Sequence, residues 1–257
     1  MPTPSTITGF RRRMMDGELL LGTFVKTPTV EMIELLAMAG LDWVCLDGEH
    51  APIDRRSMDA PLAMGRAIGL PVVVRVPVAS PDAILQALDC GAVGVLVPHI
   101  NSVEKAREVA RWAHFGEGGR GYAGSTRWAG FAGTSITDNL ARDQAETVVM
   151  AQIEDAAALD VIDDIAAVPG IDSLFVGPAD FAVALGAGSV TDPRVLGAYD
   201  RVAAAARRQK RNLSTFAGTT EIAKDLRTRG VSAFLIGSEH TFVLTGAQNV
   251  VAVLRDA

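Results

Sequence analysis

"PVVVRVPVASPDAILQALDCGAVGVLVPHI", Pro71 to Ile100, holds two short apolar runs with one amphipathic segment between them. The runs, "PVVVRV" and "GVLVPHI", are apolar at successive positions. Strands of that kind bury both faces, as parallel strands covered by helices do. The segment between them opens on Ser80, a good N-cap, followed by Pro81 at the first helical position. It stops at Cys90-Gly91, where a glycine can take the left-handed turn that ends a helix. The stretch therefore predicts a strand–helix–strand unit with parallel strands.

The same alternation repeats outward in both directions. Before it come the strand "LLLGTFVKT" ending at Thr27, a helix over Thr29–Gly40, the strand "WVCLDG" and a helix over Asp54–Gly69. Met32, Leu35, Leu36 and Ala39 are the expected inner face of the first helix, and Pro61 is expected to kink or break the second. After it come a helix capped by Ser102, a Gly-rich stretch from Gly116 to Ser135, and the strand "TVVMAQIED". A helix follows, then the strand "IDSLFVGPAD", a helical turn at Phe181–Leu185 and the helix Asp192–Lys210. "LSTFAG", another helix, "AFLIGSEH" and a final helix from about Leu244 complete the chain. No composition break marks a linker. Eight strand–helix units over residues 1–257 predict an α/β protein, one (β/α)8 TIM-barrel domain. An open doubly wound sheet is the alternative, but its G-x-G-x-x-G turn is missing after Thr27.

Composition narrows the function. A net charge of −6 argues against a nucleic-acid surface. The basic runs Arg11–Arg13 and Arg207, Arg208, Lys210 and Arg211 read as solvated helix faces. Cys45 and Cys90 make neither a disulfide framework nor a metal pattern. With no membrane-length apolar stretch and no secretory core near the start, a cytoplasmic location is expected.

Barrel enzymes keep their chemistry where strands end. Here the ends carry Lys26; Asp47, Glu49 and His50; Arg75; His99; Gln152 and Glu154; Gly177-Pro178-Ala179-Asp180; and Ser238, Glu239 and His240. Glu154 and Asp180 fall one strand–helix unit apart. Two carboxylates on neighbouring strands repel unless a cation lies between them, which points to Mg²⁺ or Mn²⁺. Each also has a plainer role as a helix cap. Gln152 lies two residues before Glu154 and shares its face. Arg75, in a buried strand, needs an anionic partner. Asp47 or Glu49 can supply one, or a substrate oxyanion can. His50 suits proton transfer, with a nearby carboxylate orienting its ring. Together these predict metal-assisted carbon–carbon chemistry beside a 2-oxo acid. Lys26 allows a Schiff-base alternative.

"GLDWVCLDGEHAP", "PVVVRVP", "AQIED" and "IDSLFVGPADFAVALG" resemble, in this order and spacing, the HpcH/HpaI aldolase/citrate lyase family. The resemblance implies a class II aldolase that joins or cleaves pyruvate, or a substituted pyruvate such as hydroxypyruvate, and an aldehyde through a metal-stabilised enolate. It implies Glu154 and Asp180 as ligands of Mg²⁺, Mn²⁺ or Co²⁺. Gln152, Gly177, Pro178 and Ala179 would line the pyruvate pocket, with Phe24 and Phe216 also at the substrate. Arg75 would face the keto oxygen, and His50 would be the acid/base relay beside Asp47. Asp89 would assist His50, in some members from a neighbouring subunit. A homo-hexamer with the last helix swapped between paired subunits is implied too. A coenzyme A thioester lyase, as on the citrate-lyase side of the family, is the other reading. Departures at "HFGEGGRG", Phe24, His99 and "GSEH" leave the aldehyde partner open. Tyr122, Ser125 and Arg127, in the Gly-rich stretch, are expected at the acceptor or a neighbouring subunit, or else in a merely flexible cover.

Overall fold

The computed structural model describes residues 5–255. Eight parallel strands close into a barrel in chain order. They are β1 (Leu20–Val25), β2 (Trp43–Asp47), β3 (Val72–Arg75), β4 (Gly94–Val97), β5 (Val148–Ile153), β6 (Ser173–Val176), β7 (Asn212–Ala217) and β8 (Ala233–Ser238). Helices α1 (Ser5–Met15), α2 (Val30–Met38), α3 (Arg55–Ile68), α4 (Pro81–Asp89), α5 (Val103–Ala113) and α6 (Ile136–Glu146) serve the first half. Helices α7 (Ile162–Ala167), α8 (Pro178–Ala184), α9 (Pro193–Arg208), α10 (Thr220–Thr228) and α11 (Glu239–Arg255) serve the second. The predicted α/β barrel is the observed one.

Two apolar layers hold it. Val44, Leu46, Val74, Val95 and Val97 pack outward against the helices, while Trp43, Cys45, Val73, Leu96 and Met150 fill the interior. Helix α1, which the sequence reading did not foresee, closes the N-terminal mouth. Phe10 and Met14 are fully buried there, and the Phe10 ring lies 5.8 Å from Trp43. Arg11 pairs with buried Asp172 at 2.7 Å, and Arg13 with Glu18 and Asp42. At the second basic run, Arg208 pairs with Asp163, and Arg211 donates to the Ala166 and Val168 carbonyls. The solvated-face reading holds for exposed Arg12, Arg207, Arg208 and Lys210, whereas Arg11, Arg13 and Arg211 are half-buried and tie neighbouring segments together.

Three local expectations change. Pro61 neither breaks nor ends α3. It removes one rung, and the helix survives because Asp54 and Ser57 form a capping box and Gly69 closes the other end at φ +78°. On α2 the buried face is Ile33 and Leu36, while Leu35 and Met38 are 58% and 83% exposed. Helix α11 starts at Glu239, earlier than expected, and Glu239 is its only buried residue.

Candidate active site

The C-terminal ends of the strands surround a cavity of about 340 Å³. Phe24, Lys26, His50, Arg75, Gln152, Phe175, Gly177, Pro178, Ala179, Asp180, Phe216, Gly237, Ser238 and Thr241 line it. Most of these were predicted; Phe175 and Thr241 were not, because nothing in an apolar strand or a terminal helix flags them as cavity wall.

On one side, the register pairs Asp47 with Arg75 across β2 and β3. Arg75 donates from Nε at 2.9 Å and Nη2 at 2.7 Å to Asp47 Oδ1. Its Nη1 lies 3.2 Å from Glu49 Oε2, and its guanidinium sits 4.4 Å over the Phe24 ring. The lone arginine of "VVVRV" is thus satisfied. The strands approach closely here: a Cβ on Gly48 would fall 2.6 Å from the Arg75 carbonyl, so only glycine fits. The His50 backbone N–H donates to Asp47 Oδ1 at 3.1 Å, and Lys26 Nζ lies 3.4 Å from Oδ2. Burial raises the Asp47 pKa, but Arg75, the His50 N–H and Lys26 outweigh burial and hold it below the usual carboxylate range. Asp47 therefore holds His50 through the backbone, whereas ring orientation was expected. The ring is 58% exposed, its Nε2 3.7 Å from Glu49 Oε2.

On the other side, β5 and β6 deliver the second carboxylate pair. Glu154 Oε1 accepts the His99 backbone N–H at 2.8 Å, with His99 Nδ1 3.2 Å away, and Gln152 Nε2 donates to Oε2. His99 reaches this position with φ at +55°, a left-handed backbone that costs a non-glycine residue energy. Its carbonyl is tied to Lys105 Nζ at 2.8 Å. The sequence marked His99 as a polar strand end and as a departure from the family pattern, not as a partner of Glu154. A Cβ on Gly177 would lie 2.9 Å from Glu154 Oε2 and 3.5 Å from Asp180 Oδ2, so both carboxylates border the space above that glycine. Burial and the neighbouring Asp180 charge push the Glu154 carboxyl above its ordinary value, against the donors from Gln152 and His99. Neither acid is a helix N-cap: Gly177 precedes α8 and Asp155 precedes the next turn, both without a side-chain cap bond. Two repelling carboxylates, Glu154 buried and Asp180 exposed to the cavity, beside a glycine gap suit a divalent cation. Among the described residues no cluster of three or more His, Cys, Asp or Glu is arranged for a metal. The pair would thus leave coordination positions open.

Asp89 is not brought to this cavity. Helix α4 runs back against the strands, so its last residue lies beside the start of β4, at the opposite end of the barrel. The Asp89 carbonyl accepts the Trp128 N–H at 3.3 Å. Burial raises its carboxyl pKa, opposed by Arg120 and Arg55. Within one chain Asp89 cannot assist His50. The Gly-rich stretch lies at that same end, since α5 arrives there and β5 departs from there. It is no loose cover. Arg120 is sandwiched against Phe115 and Trp128, 3.9 Å and 4.7 Å from the ring centres, and pairs with Asp143 at 3.0 Å. Tyr122, Ser125 and Arg127 are therefore away from their own chain's cavity.

The family model of the HpcH/HpaI aldolase/citrate lyases matches residues 20–245. The chain belongs to this family. It is 37% identical to the hydroxypyruvate/pyruvate aldolase of Roseovarius nubinhibens over 186 residues, 72% of each chain. It is 34% identical to the 2-keto-3-deoxy-L-rhamnonate aldolase of Escherichia coli K12, over 69% of this chain and 66% of that one. Among solved structures, a HpcH/HpaI aldolase/citrate lyase family protein from Burkholderia cenocepacia superposes with a TM-score of 0.90 at 35% identity. That match covers 96% of this chain and 99% of the other. Citrate-lyase-like neighbours of the HpcH/HpaI aldolases are more distant from this chain.

Proposed function

We propose that this protein is a class II aldolase that cleaves or forms the carbon–carbon bond between pyruvate, or a substituted pyruvate such as hydroxypyruvate, and an aldehyde. The observation that carries this reading is the approach of Glu154 Oε2 and Asp180 Oδ2 to one gap above Gly177, within a cavity that Arg75 also lines. Mg²⁺, Mn²⁺ or Co²⁺ held by these two acids would supply a Lewis acid for the keto group. The chain does the rest. The first N–H groups of a helix have no intrahelical partner, so those of Ala179 and Asp180 are available to a substrate carboxylate. Pro178 has no N–H, and that of Gly177 is spent on the Ile153 carbonyl at 3.0 Å. These two residues shape the pocket without donating. Gln152 holds Glu154 in place.

In the cleavage direction His50 accepts the proton of the C4 hydroxyl as the C3–C4 bond breaks. The electron pair passes into the enolate of pyruvate, whose oxygen Arg75 faces, and protonation at C3 releases pyruvate. Asp47 keeps Arg75 and the His50 backbone in register. The Schiff-base route is disfavoured: Lys26 is an ion-pair partner of Asp47 with a 31% exposed side chain, not a desolvated amine.

The same proposal includes a homo-oligomer, a hexamer with α11 swapped, in a cytoplasmic setting. Helix α11 leaves Val243, Leu244, Val250, Val251, Val253 and Leu254 exposed, and α2 leaves Leu35 and Met38 exposed, surface that a second copy can bury. Asp89 then acts in a neighbouring subunit's site. No helix among the described residues is long and apolar enough to cross a membrane.

Pyruvate release from 4-hydroxy-2-oxo acids, with and without EDTA, tests the function. Activity should vanish with chelator and return with Mg²⁺, Mn²⁺ or Co²⁺. Borohydride with pyruvate should leave the protein mass unchanged. Chelator-resistant turnover with a trapped lysine adduct would reverse the reading.

A further inference from the structure

The cavity wall falls into two arcs. Strands β3 to β6 contribute Arg75, Gln152 and the Gly177–Asp180 turn, the half that the proposed function gives to the 2-oxo acid. Strands β7, β8 and β1 are neighbours in the closed barrel and contribute Phe216, Ser238, Phe24 and Lys26, with Thr241 just beyond. This second arc holds no carboxylate among the cavity's lining residues, and it holds one cation.

That cation has spare capacity. The Arg75 guanidinium directs three of its five N–H donors at Asp47 and Glu49, lies over Phe24, and has its remaining donors assigned to the 2-oxo acid half. Asp47 thus already has a close partner in Arg75 at 2.7 Å. Lys26 Nζ sits farther off, 3.4 Å from Asp47 Oδ2, and donates no hydrogen bond to any described residue. An ammonium carries three donors. The backbone beneath it is clamped, since the N–H groups of Lys26 and Thr27 both donate to buried Glu239 Oε1, at 2.7 Å and 2.5 Å. Lys26 is therefore held on the wall by the start of α11, not carried on a loose loop. Phe24 and Phe216, 6.0 Å apart, give this arc an apolar surface for a short carbon chain. The Ser238 and Thr241 hydroxyls add hydrogen-bonding capacity.

We propose that Lys26 is a specificity-determining residue of the acceptor half-site, which takes a short aldehyde carrying an anionic group at its far end. The inference rests on the aldolase reading and deepens it. Because one cavity of about 340 Å³ must hold both substrates, the acceptor is small.

The test is aldol addition of pyruvate, with metal supplied, by the wild type, Lys26→Met and Lys26→Arg. Acceptors are paired by charge: glyoxylate against glycolaldehyde, succinic semialdehyde against butanal, and glyceraldehyde 3-phosphate against glyceraldehyde. The quantity read is the ratio of kcat/KM within each pair. Wild type should favour the anionic member of at least one pair, and that pair identifies carboxylate or phosphate as the group. Lys26→Met should lower its ratio roughly tenfold or more, the loss expected of one charge-assisted hydrogen bond. Lys26→Arg should keep most of it, which a Schiff-base lysine could not survive. Effects transmitted through Asp47 act on both members of a pair and cancel in the ratio. A wild type indifferent to charge, or a ratio that Lys26→Met leaves unchanged, overturns the proposal while the aldolase reading stands. Failure of the wild type to condense any aldehyde, charged or neutral, overturns both.

Discussion

Arg75 and Asp47 meet at matched ends of β3 and β2, Nη2 to Oδ1 2.7 Å apart, with Asp47 fully buried. The same carboxylate oxygen takes the His50 backbone N–H. One buried acid thus couples the orientation of the proposed enolate-stabilising group to that of the proposed proton relay. Asp47→Asn leaves Arg75 with only Glu49 as a charge partner. Breaking a buried pair from one side costs about 3 kcal/mol. Urea denaturation should show that loss, and pyruvate release should fall with it. A variant of wild-type stability would mean that Glu49 alone satisfies Arg75.

Asp143 sets an acid limit on stability. It accepts from His114 Nδ1 at 3.0 Å, the Phe115 N–H at 3.2 Å, Arg120 Nη2 at 3.0 Å and Thr147 Oγ1 at 3.0 Å. Burial alone would raise its pKa, but His114, Arg120 and the Phe115 N–H outweigh burial and lower it. A lowered carboxyl contributes stability above its unfolded value of about 3.9, and that contribution is lost as pH falls through the native value. Asp143→Asn should be less stable by about 3 kcal/mol at pH 7, and the gap to wild type should narrow below about pH 4. Paired urea titrations at the two pH values measure it.

Glu154→Gln removes one of the two acids beside Gly177. Mn²⁺ binding followed by calorimetry should weaken at least tenfold, the cost expected of losing a charged metal ligand. Asp180→Asn should behave alike. Gln152→Leu, which frees Glu154 Oε2, should weaken binding by less, because the donor and not the ligand is lost.

His99 holds a left-handed backbone at φ +55°. His99→Gly and His99→Ala both delete the ring beside Glu154, but only glycine relieves the backbone. The glycine variant should be more stable than the alanine variant by about 1 kcal/mol in thermal melts. Equal stabilities would show that the loop relaxes.

Truncation after His240 keeps buried Glu239 and removes the exposed apolar part of α11. The barrel should still fold, with near-native circular dichroism. Light scattering should show the assembly reduced, since the surface offered to a second copy is gone.

Much of the barrel was legible because its signals are local. Successive apolar residues in "VVVRV" and "GVLV" require burial on both faces, Ser80 and Pro81 start a helix, and Gly69 ends one. Helix α6 and the plug α1 were not legible. The buried residues of α6, Asn139, Asp143 and Glu146, are polar and show no apolar period, while Ile7, Phe10 and Met14 of α1 do follow helical spacing but are interrupted by the arginine run Arg11–Arg13. The α2 face was misread for a related reason: Leu35 and Met38 obey helical spacing but point away from this chain's own barrel.

By itself the sequence determined which residues reach the rim, because strand ends and helix starts follow from neighbours a few positions apart. It could not decide which rim residues touch. Only closure of the barrel brings Phe216, Ser238 and Lys26 to one cavity by joining β7, β8 and β1. Only the reversal of α4 puts Asp89 at the far end from His50. The pairing of "VVVRV" with "DGEH" was foreseeable in kind, since a buried guanidinium demands an anion. That both Asp47 and Glu49 meet Arg75, and that Asp47 also grips His50 by the backbone, depends on strand register, a relationship between distant segments that short-range propensities do not encode.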